Sequence, residues 1–312
     1  MCARVTGMRD MIRKLLHEVD EAIFPSGIYC VCCGALIDRS RMYSLCDDCI
    51  PRFHWITGRT CEKCGKAMPD TSRGRLCYDC MQEEHFFTKG FSCLTYGLHE
   101  RELMMDLKYA GKGYLARIFG DVMFDRMELE IREGLFAPGC GGGAGQELQQ
   151  GESFDGRTPG VRIDIIAPVP VSQGRLRKRG YNQSAIMARQ LARRWKEYVR
   201  ENQAEPMYPA PVCRTDLLCR TRETQMLRSL NPTERRMVLQ NVFAVSEHFR
   251  GKLTGRTVLL IDDIYTTGAT ADACSQALLE GGAAEVYLLT LASGGNRKPE
   301  IMPDDECESK KA

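Results

Sequence analysis

The chain has 312 residues, 43% hydrophobic and 27% charged, the profile of a soluble globular protein with room for about two domains. A net charge of +2 provides no global field that would draw the whole protein to nucleic acid. No stretch approaches the roughly 18 consecutive apolar residues of a membrane span, so none is predicted.

The N-terminus lacks the uninterrupted apolar stretch of a secretory signal. Met11, Ile12, Leu15, Leu16, Val19 and Ile23 recur at helical spacing. They predict an amphipathic helix over 1–25 that docks on the rest of the protein rather than on a membrane. The expected location is cytoplasmic, where sixteen cysteines need an explanation other than disulfides.

That explanation lies in residues 26–84. Cys30-x2-Cys33-x12-Cys46-x2-Cys49 is followed by Cys61-x2-Cys64-x12-Cys77-x2-Cys80, every cysteine recurring 31 positions later. Gly34 and Gly65 follow the second cysteine of each set and free the backbone to turn its amides toward sulfur. Two close pairs across a hairpin supply four thiolates at tetrahedral geometry, so the repeat predicts a double zinc ribbon with two structural Zn²⁺ ions. The repeat favours sequential sets, Cys30, Cys33, Cys46 and Cys49 for one ion and Cys61, Cys64, Cys77 and Cys80 for the other; interleaved pairing is the alternative. With four sulfur ligands per ion, no position is left for a catalytic water. Cys32 breaks the repeat and is read as a bystander, and a dithiol redox role does not fit four Cys-x2-Cys units in a row.

Residues 85–298 read as an α/β domain. "FSCLTYG" (91–97) is a strand and turn; "ERELMMDLKYAG" and "YLARIFGDVMFDRMELEI" are helical. A glycine-rich stretch within 136–160 reads as a flexible surface insertion, and 299–312 as a polar tail. "RIDIIAPVPV" is a buried strand stopped by Pro168 and Pro170. Asn182 to Val199 form a helix with Ile186, Leu191, Trp195 and Val199 on its apolar face, and "PMYPAPVCR" holds a further short strand. "TVLLIDDI" and "VYLLTLA" flank a helix from Gly268 to Leu279. Strand, helix, strand with continuous apolar runs predicts a parallel sheet buried on both faces.

"TVLLIDDIYTTGAT" (257–270) carries the chemistry. In a parallel sheet, ligands bind where the carboxyl ends of strands meet loops. Thr266, Thr267, Gly268, Ala269 and Thr270 form the turn into the next helix, where free backbone N–H groups and hydroxyls can cradle a phosphate monoester. Asp262 and Asp263 beside an anion must contact something else on the same ligand, and vicinal ribose hydroxyls are suitable donors. The segment thus describes a ribose 5-phosphate site. No G-x4-G-K-[ST] and no G-x-G-x-x-G opening a helix occurs, so P-loop and dinucleotide sites are not expected.

This stretch resembles the phosphoribosyl pyrophosphate (PRPP) motif of type I phosphoribosyltransferases. With the cysteine repeat, "LKYAGKGYLA" (107–116), "PVPVSQGRLRKRGYNQSAIMA" (168–188) and "ERR" (234–236) before "VFAV", the chain resembles the ComF family, competence protein F and its relatives. That resemblance implies a zinc ribbon region joined to a phosphoribosyltransferase-like domain, with PRPP bound at Asp262, Asp263 and Thr266–Thr270. It also implies Mg²⁺ bridging pyrophosphate and ribose oxygens. Charge on the departing pyrophosphate would be met by Arg175 and Arg179, with Arg220 and Arg222 as further candidates. The sequence departs from the family after "ERR", at Val238 and Asn241, and in "RTRETQMLRSL", where related enzymes have a mobile active-site loop.

Three readings of function stay open. One is phosphoribosyl transfer to an acceptor that no motif identifies. A second is single-stranded DNA handling, because family relatives are linked to competence and the DNA-uptake machinery. From Val171 to Arg200 nine Lys and Arg face one acid, Glu197, with Tyr181 or Trp195 available for stacking. Non-catalytic PRPP sensing belongs with this binding-protein reading, and the third is a zinc-dependent assembly factor with a vestigial PRPP pocket.

Overall fold

The computed structural model describes residues 27–137, 160–202, 209–224 and 231–295. The expected N-terminal helix, nearly all of the glycine-rich stretch and the polar tail lie outside them. The described elements in order are α1 (Tyr78–Gln82), β1 (Lys89–Thr95), α2 (Leu98–Tyr109), α3 (Leu115–Arg132), β2 (Ile165–Pro168), α4 (Gln173–Arg179), α5 (Gln183–Glu201), β3 (Val212–Cys213), β4 (Leu218–Arg220), α6 (Pro232–Leu239), β5 (Phe243–Val245), β6 (Thr257–Tyr265), α7 (Ala269–Glu280) and β7 (Glu285–Ser293). Five strands form one sheet in the order β1-β7-β6-β2-β3, and every pairing is parallel. A separate antiparallel hairpin joins β4 and β5.

Period-two alternation in β6 divides the core between the two faces of the sheet. Leu259 and Ile261 join Met123 of α3 and Leu191 and Trp195 of α5 on one face. Val258 and Leu260 join Cys274 and Leu278 of α7 on the other. Helices on both faces are what the uninterrupted apolar run of β6 requires, and the parallel α/β architecture expected from the sequence is present.

The two ribbons join opposite faces. Cys30, Leu45, Cys49 and Phe53 belong to the α3/α5 side of the core, tied down by a 2.5 Å hydrogen bond from the Tyr43 hydroxyl to Asp125 and by the bridge between Trp55 and Leu94 of β1. Cys61, Cys64, Cys77, Cys80 and Phe87 belong to the α7 side. An N-terminal double zinc ribbon therefore straddles the parallel-sheet domain rather than trailing from it.

Two helices have no counterpart in the sequence reading. Residues 173–179 form α4, which buries none of its side chains and so shows no apolar stripe. Its start is set by Ser172, whose hydroxyl accepts from the Arg175 amide at 3.3 Å. The short strand expected within "PMYPAPVCR" is Val212–Cys213. Helix α6 opens with a capping box between Asn231 and Glu234 and a proline in its first turn, a start signal legible in Asn-Pro-Thr-Glu itself.

Candidate functional site

Sheet topology selects the site. The β6–α7–β7 crossover runs toward β1, whereas β2–α5–β3 runs toward the other edge, so connections diverge between β2 and β6. A crevice opens at such a switch point, outside the carboxyl ends of the strands. A cleft of about 290 Å³ lies there, lined by Asp262, the whole Thr266–Thr270 turn, Lys108, Arg175 and Arg235.

The turn's geometry follows from Gly268, which caps α7 with φ of 83°, a left-handed conformation that side-chain-bearing residues disfavour. The first amide to bond back within the helix is that of Asp272, to the Gly268 carbonyl at 2.7 Å. Helix geometry leaves the amides of Ala269, Thr270 and Ala271 without intrahelical acceptors. They join the hydroxyls of Thr266, Thr267 and Thr270 at the positive end of the helix dipole, an arrangement suited to a phosphate.

The acid pair is asymmetric. Asp262 lines the cleft, accepting from the Asp263 amide at 2.9 Å and from the Ser184 hydroxyl at 3.4 Å. Asp263 is buried, its Oδ2 2.6 Å from Lys108 Nζ and 2.9 Å from the donating Gln183 Nε2. Burial and then the Asp263 charge raise the Asp262 carboxyl to about 7. Burial also opposes ionisation of Asp263, but the Lys108 charge and the hydrogen bonds from Lys108 and Gln183 outweigh it and hold that carboxyl below the ordinary value. The pair thus carries one negative charge in mildly acid solution, on Asp263.

Of the two arginines expected to meet leaving-group charge, Arg175 lines the cleft. Arg179 packs its guanidinium 5.3 Å over the Tyr109 ring and donates to Gln183 Oε1 at 3.0 Å, so it reaches the acids through Gln183. Arg220 is half-buried on β4, stacked 5.1 Å over Phe243, and Arg222 donates to the Gln240 carbonyl at 3.0 Å; neither lines the cleft. Asn182 caps α5, accepting from the Ala185 amide. The half-buried Tyr181 packs against the core and its hydroxyl donates to the Leu107 carbonyl, while Trp195 is fully buried and its ring offers no stacking face. Lys108 is the residue that motif chemistry left without a role. It sits in "LKYAGKGYLA", and only the approach of α2 to the end of β6 shows its partner.

The two cysteine sets are Cys30, Cys33, Cys46 and Cys49, and Cys61, Cys64, Cys77 and Cys80, each with all sulfurs within 4.8 Å of one another. The structure thus groups them sequentially. The Cys33–Cys46 and Cys64–Cys77 sulfurs lie 3.7 and 3.6 Å apart, close to the edge of about 3.8 Å in a tetrahedron with Zn–S bonds near 2.3 Å. Backbone amides point at sulfur, Cys46 N to Cys30 Sγ at 3.4 Å and Cys77 N to Cys61 Sγ at 3.2 Å. Both sets fit structural zinc, with thiolate charge supported from the backbone.

The family described as "Double zinc ribbon domain" matches residues 19–99. The chain is homologous to competence protein F of Haemophilus influenzae, 30% identical over 129 residues that cover 41% of this chain and 50% of that protein. It is similarly related to DNA utilization protein YhgH of Escherichia coli K12, 32% identical over 136 residues covering 43% of this chain and 52% of that protein. The matched regions span about half the length of these curated relatives. Among solved structures, a glutamine PRPP amidotransferase from B. subtilis complexed with ADP and GMP aligns over 42% of this chain and 22% of that chain, at 18% identity and a TM-score of 0.25. That overlap is too slight to inform the site. Among the described residues, no helix is long and apolar enough to cross a membrane.

Proposed function

We propose that the protein binds PRPP, or a closely related ribose 5-phosphate, in the switch-point cleft and transfers the phosphoribosyl group to an acceptor. The observation that carries this reading is the convergence of Asp262 and the complete Thr266–Thr270 turn on one cleft, beside Lys108, Arg175 and Arg235. The turn takes the 5-phosphate and Asp262 accepts from ribose hydroxyls, while Asp263 fixes Lys108 beside them. Attack by the acceptor on the anomeric carbon breaks its bond to pyrophosphate, which leaves with the electron pair. Arg175 stabilises that charge directly, and Arg179 acts through Gln183. Mg²⁺, bound with the substrate, supplies further neutralisation of the pyrophosphate. The working units on this reading are the ribbons over 26–84 and the transferase over 85–298. Names of the homologues, which refer to competence and DNA utilization, support a cytoplasmic role in the uptake and use of incoming DNA.

Calorimetry with PRPP and Mg²⁺ at pH 8, where Asp262 is ionised, tests binding. Asp262→Asn removes a charged acceptor, an interaction of about 1.5–3 kcal/mol, so PRPP affinity falls roughly ten- to a hundredfold while inorganic phosphate binds nearly as before. Gly268→Val distorts the turn and weakens both ligands. Equal losses for both ligands in Asp262→Asn, or no PRPP binding by wild type at millimolar concentration, would contradict the assignment. Acceptor-dependent pyrophosphate release separates a transferase from a PRPP sensor.

A second reading, single-stranded DNA binding, is favoured by α4, where Arg175, Arg177 and Lys178 are exposed beside the half-exposed Tyr109 that Arg179 covers. This edge would track phosphates with an aromatic ring at its margin. Affinity should then fall with salt at a log–log slope of about −0.7 per phosphate contacted. Undetectable binding at low salt removes the reading.

A further inference from the structure

We propose that the second zinc ribbon is the rear wall of the phosphate turn, and that His85 is the positioning residue through which the ribbon's fold sets the shape of the turn. The inference rests on the reading of Thr266–Thr270 as an anion cradle.

His85 lies just beyond the last zinc ligand of the second set, and its side chain is only 1% exposed. The ring touches the turn at its beginning, apex and end. At the beginning, the hydroxyl of Tyr265, the last residue of β6, lies 3.2 Å from His85 Nε2. At the end, Asp272 in the first turn of α7 places Oδ2 2.9 Å from His85 Nδ1. At the apex, a Cβ on Gly268 would lie 2.8 Å from the Tyr265 hydroxyl and 2.9 Å from His85 Cε1. Nδ1 donates to the carboxylate, and Nε2 meets the tyrosine hydroxyl, a group that serves as donor or acceptor. The ring is itself fixed by stacking 5.0 Å from Phe87, and the Phe86 amide adds a hydrogen bond to Asp272 at 3.3 Å.

The wall continues into the ribbon. Lys66, 2% exposed, pairs with Asp79 at 2.6 Å and holds its ammonium 5.3 Å over the Tyr265 ring. Glu83 pairs with Arg236 of α6, whose other nitrogen approaches Asp272 at 3.9 Å. Among the described residues the first ribbon makes no comparable hydrogen bond or ion pair with the turn; its polar ties include those from Tyr43 to Asp125 of α3 and from His54 to Glu100 of α2. A cradle of backbone amides binds an anion only as well as its geometry is held before the anion arrives. Zinc at the second site, by fixing the segment that leads to His85, therefore supports anion affinity; zinc at the first site does not.

The test uses full-length, zinc-loaded protein. His85→Phe keeps the stack on Phe87 and removes both ring hydrogen bonds, whereas His85→Asn retains a donor toward Asp272. Amide hydrogen exchange over 266–272, zinc content and inorganic phosphate affinity are read together. In His85→Phe, exchange over 266–272 should rise about tenfold and phosphate affinity fall by about as much, with zinc content and protection of 257–264 unchanged. His85→Asn should recover part of both. Cys80→Ser should loosen the same amides, and Cys33→Ser should not. Wild-type exchange over the turn in His85→Phe, or equal loosening by the two cysteine variants, overturns the proposal. Failure of wild type to bind phosphate or PRPP would instead overturn the cradle reading, leaving the exchange comparison to decide the coupling.

Discussion

Asp262 and Asp263 are adjacent in sequence and opposite in surroundings. Asp263 has Lys108 and Gln183 within hydrogen-bonding distance, while Asp262 meets the cleft with weaker partners and a charged neighbour. The Asp262 carboxyl rises from an ordinary 3.8 to about 7, through burial and then the Asp263 charge. The folded state thus holds a proton that the unfolded chain has released, and stability contributed by protonated Asp262 is lost as pH climbs from about 4 to about 7. Asp262→Asn keeps the neutral form at every pH. The variant should match wild type in urea midpoint near pH 4 and exceed it above pH 7. A gap independent of pH would show that Asp262 is not the titrating group. Lys108 has the complementary role: without its ammonium, Asp263 would be a buried carboxylate supported by the Gln183 hydrogen bond and the Arg179 charge.

Two elements meet closely where β1 passes the second zinc ribbon. A Cβ on Gly90 would lie 2.8 Å from the Cys64 carbonyl oxygen, and the Gly90 amide donates to the Lys63 carbonyl at 2.7 Å. Gly65, at φ of 73°, would overlap the Gly90 carbonyl if it carried a Cβ. Ribbon and sheet therefore touch backbone to backbone. Gly90→Ala should cost about 1–3 kcal/mol, the usual range for an overpacked core, and lower the midpoint of thermal unfolding. A midpoint unchanged from wild type would mean that the ribbon yields at no cost. Gly65 was legible as a knuckle residue from the cysteine repeat, but Gly90 was not, because its neighbour comes from a different part of the chain. Helix α4 was equally illegible: a short helix with all its side chains outside the core leaves no periodic trace. The long, apolar β6 and β7 were readable because burial on both faces demands continuous hydrophobicity.

For the whole molecule, the consequence is that zinc and sheet are one folding problem. Each ribbon contributes cysteines to a different face of the core. Freshly purified protein should contain two zinc ions per chain, since structural zinc contributes on the order of 10–16 kcal/mol of apparent binding energy in small fingers. Chelation should unfold the ribbons and lower the stability of the sheet domain as well. Metal analysis below one zinc per chain, or a sheet domain indifferent to chelation, would refute this coupling. The amino-acid sequence by itself determined the eight candidate zinc ligands, the strand–acid–turn motif and the parallel α/β class, because each is written in residues close together along the chain. Tertiary structure alone decided that the cysteines group sequentially, that Lys108 pairs with Asp263, that Arg179 donates to Gln183, and that His85 meets Asp272 across 187 positions of sequence. Those contacts arise from how helices and ribbons pack on the two faces of the sheet, and local propensity and spacing carry no record of which distant side chains that packing brings together.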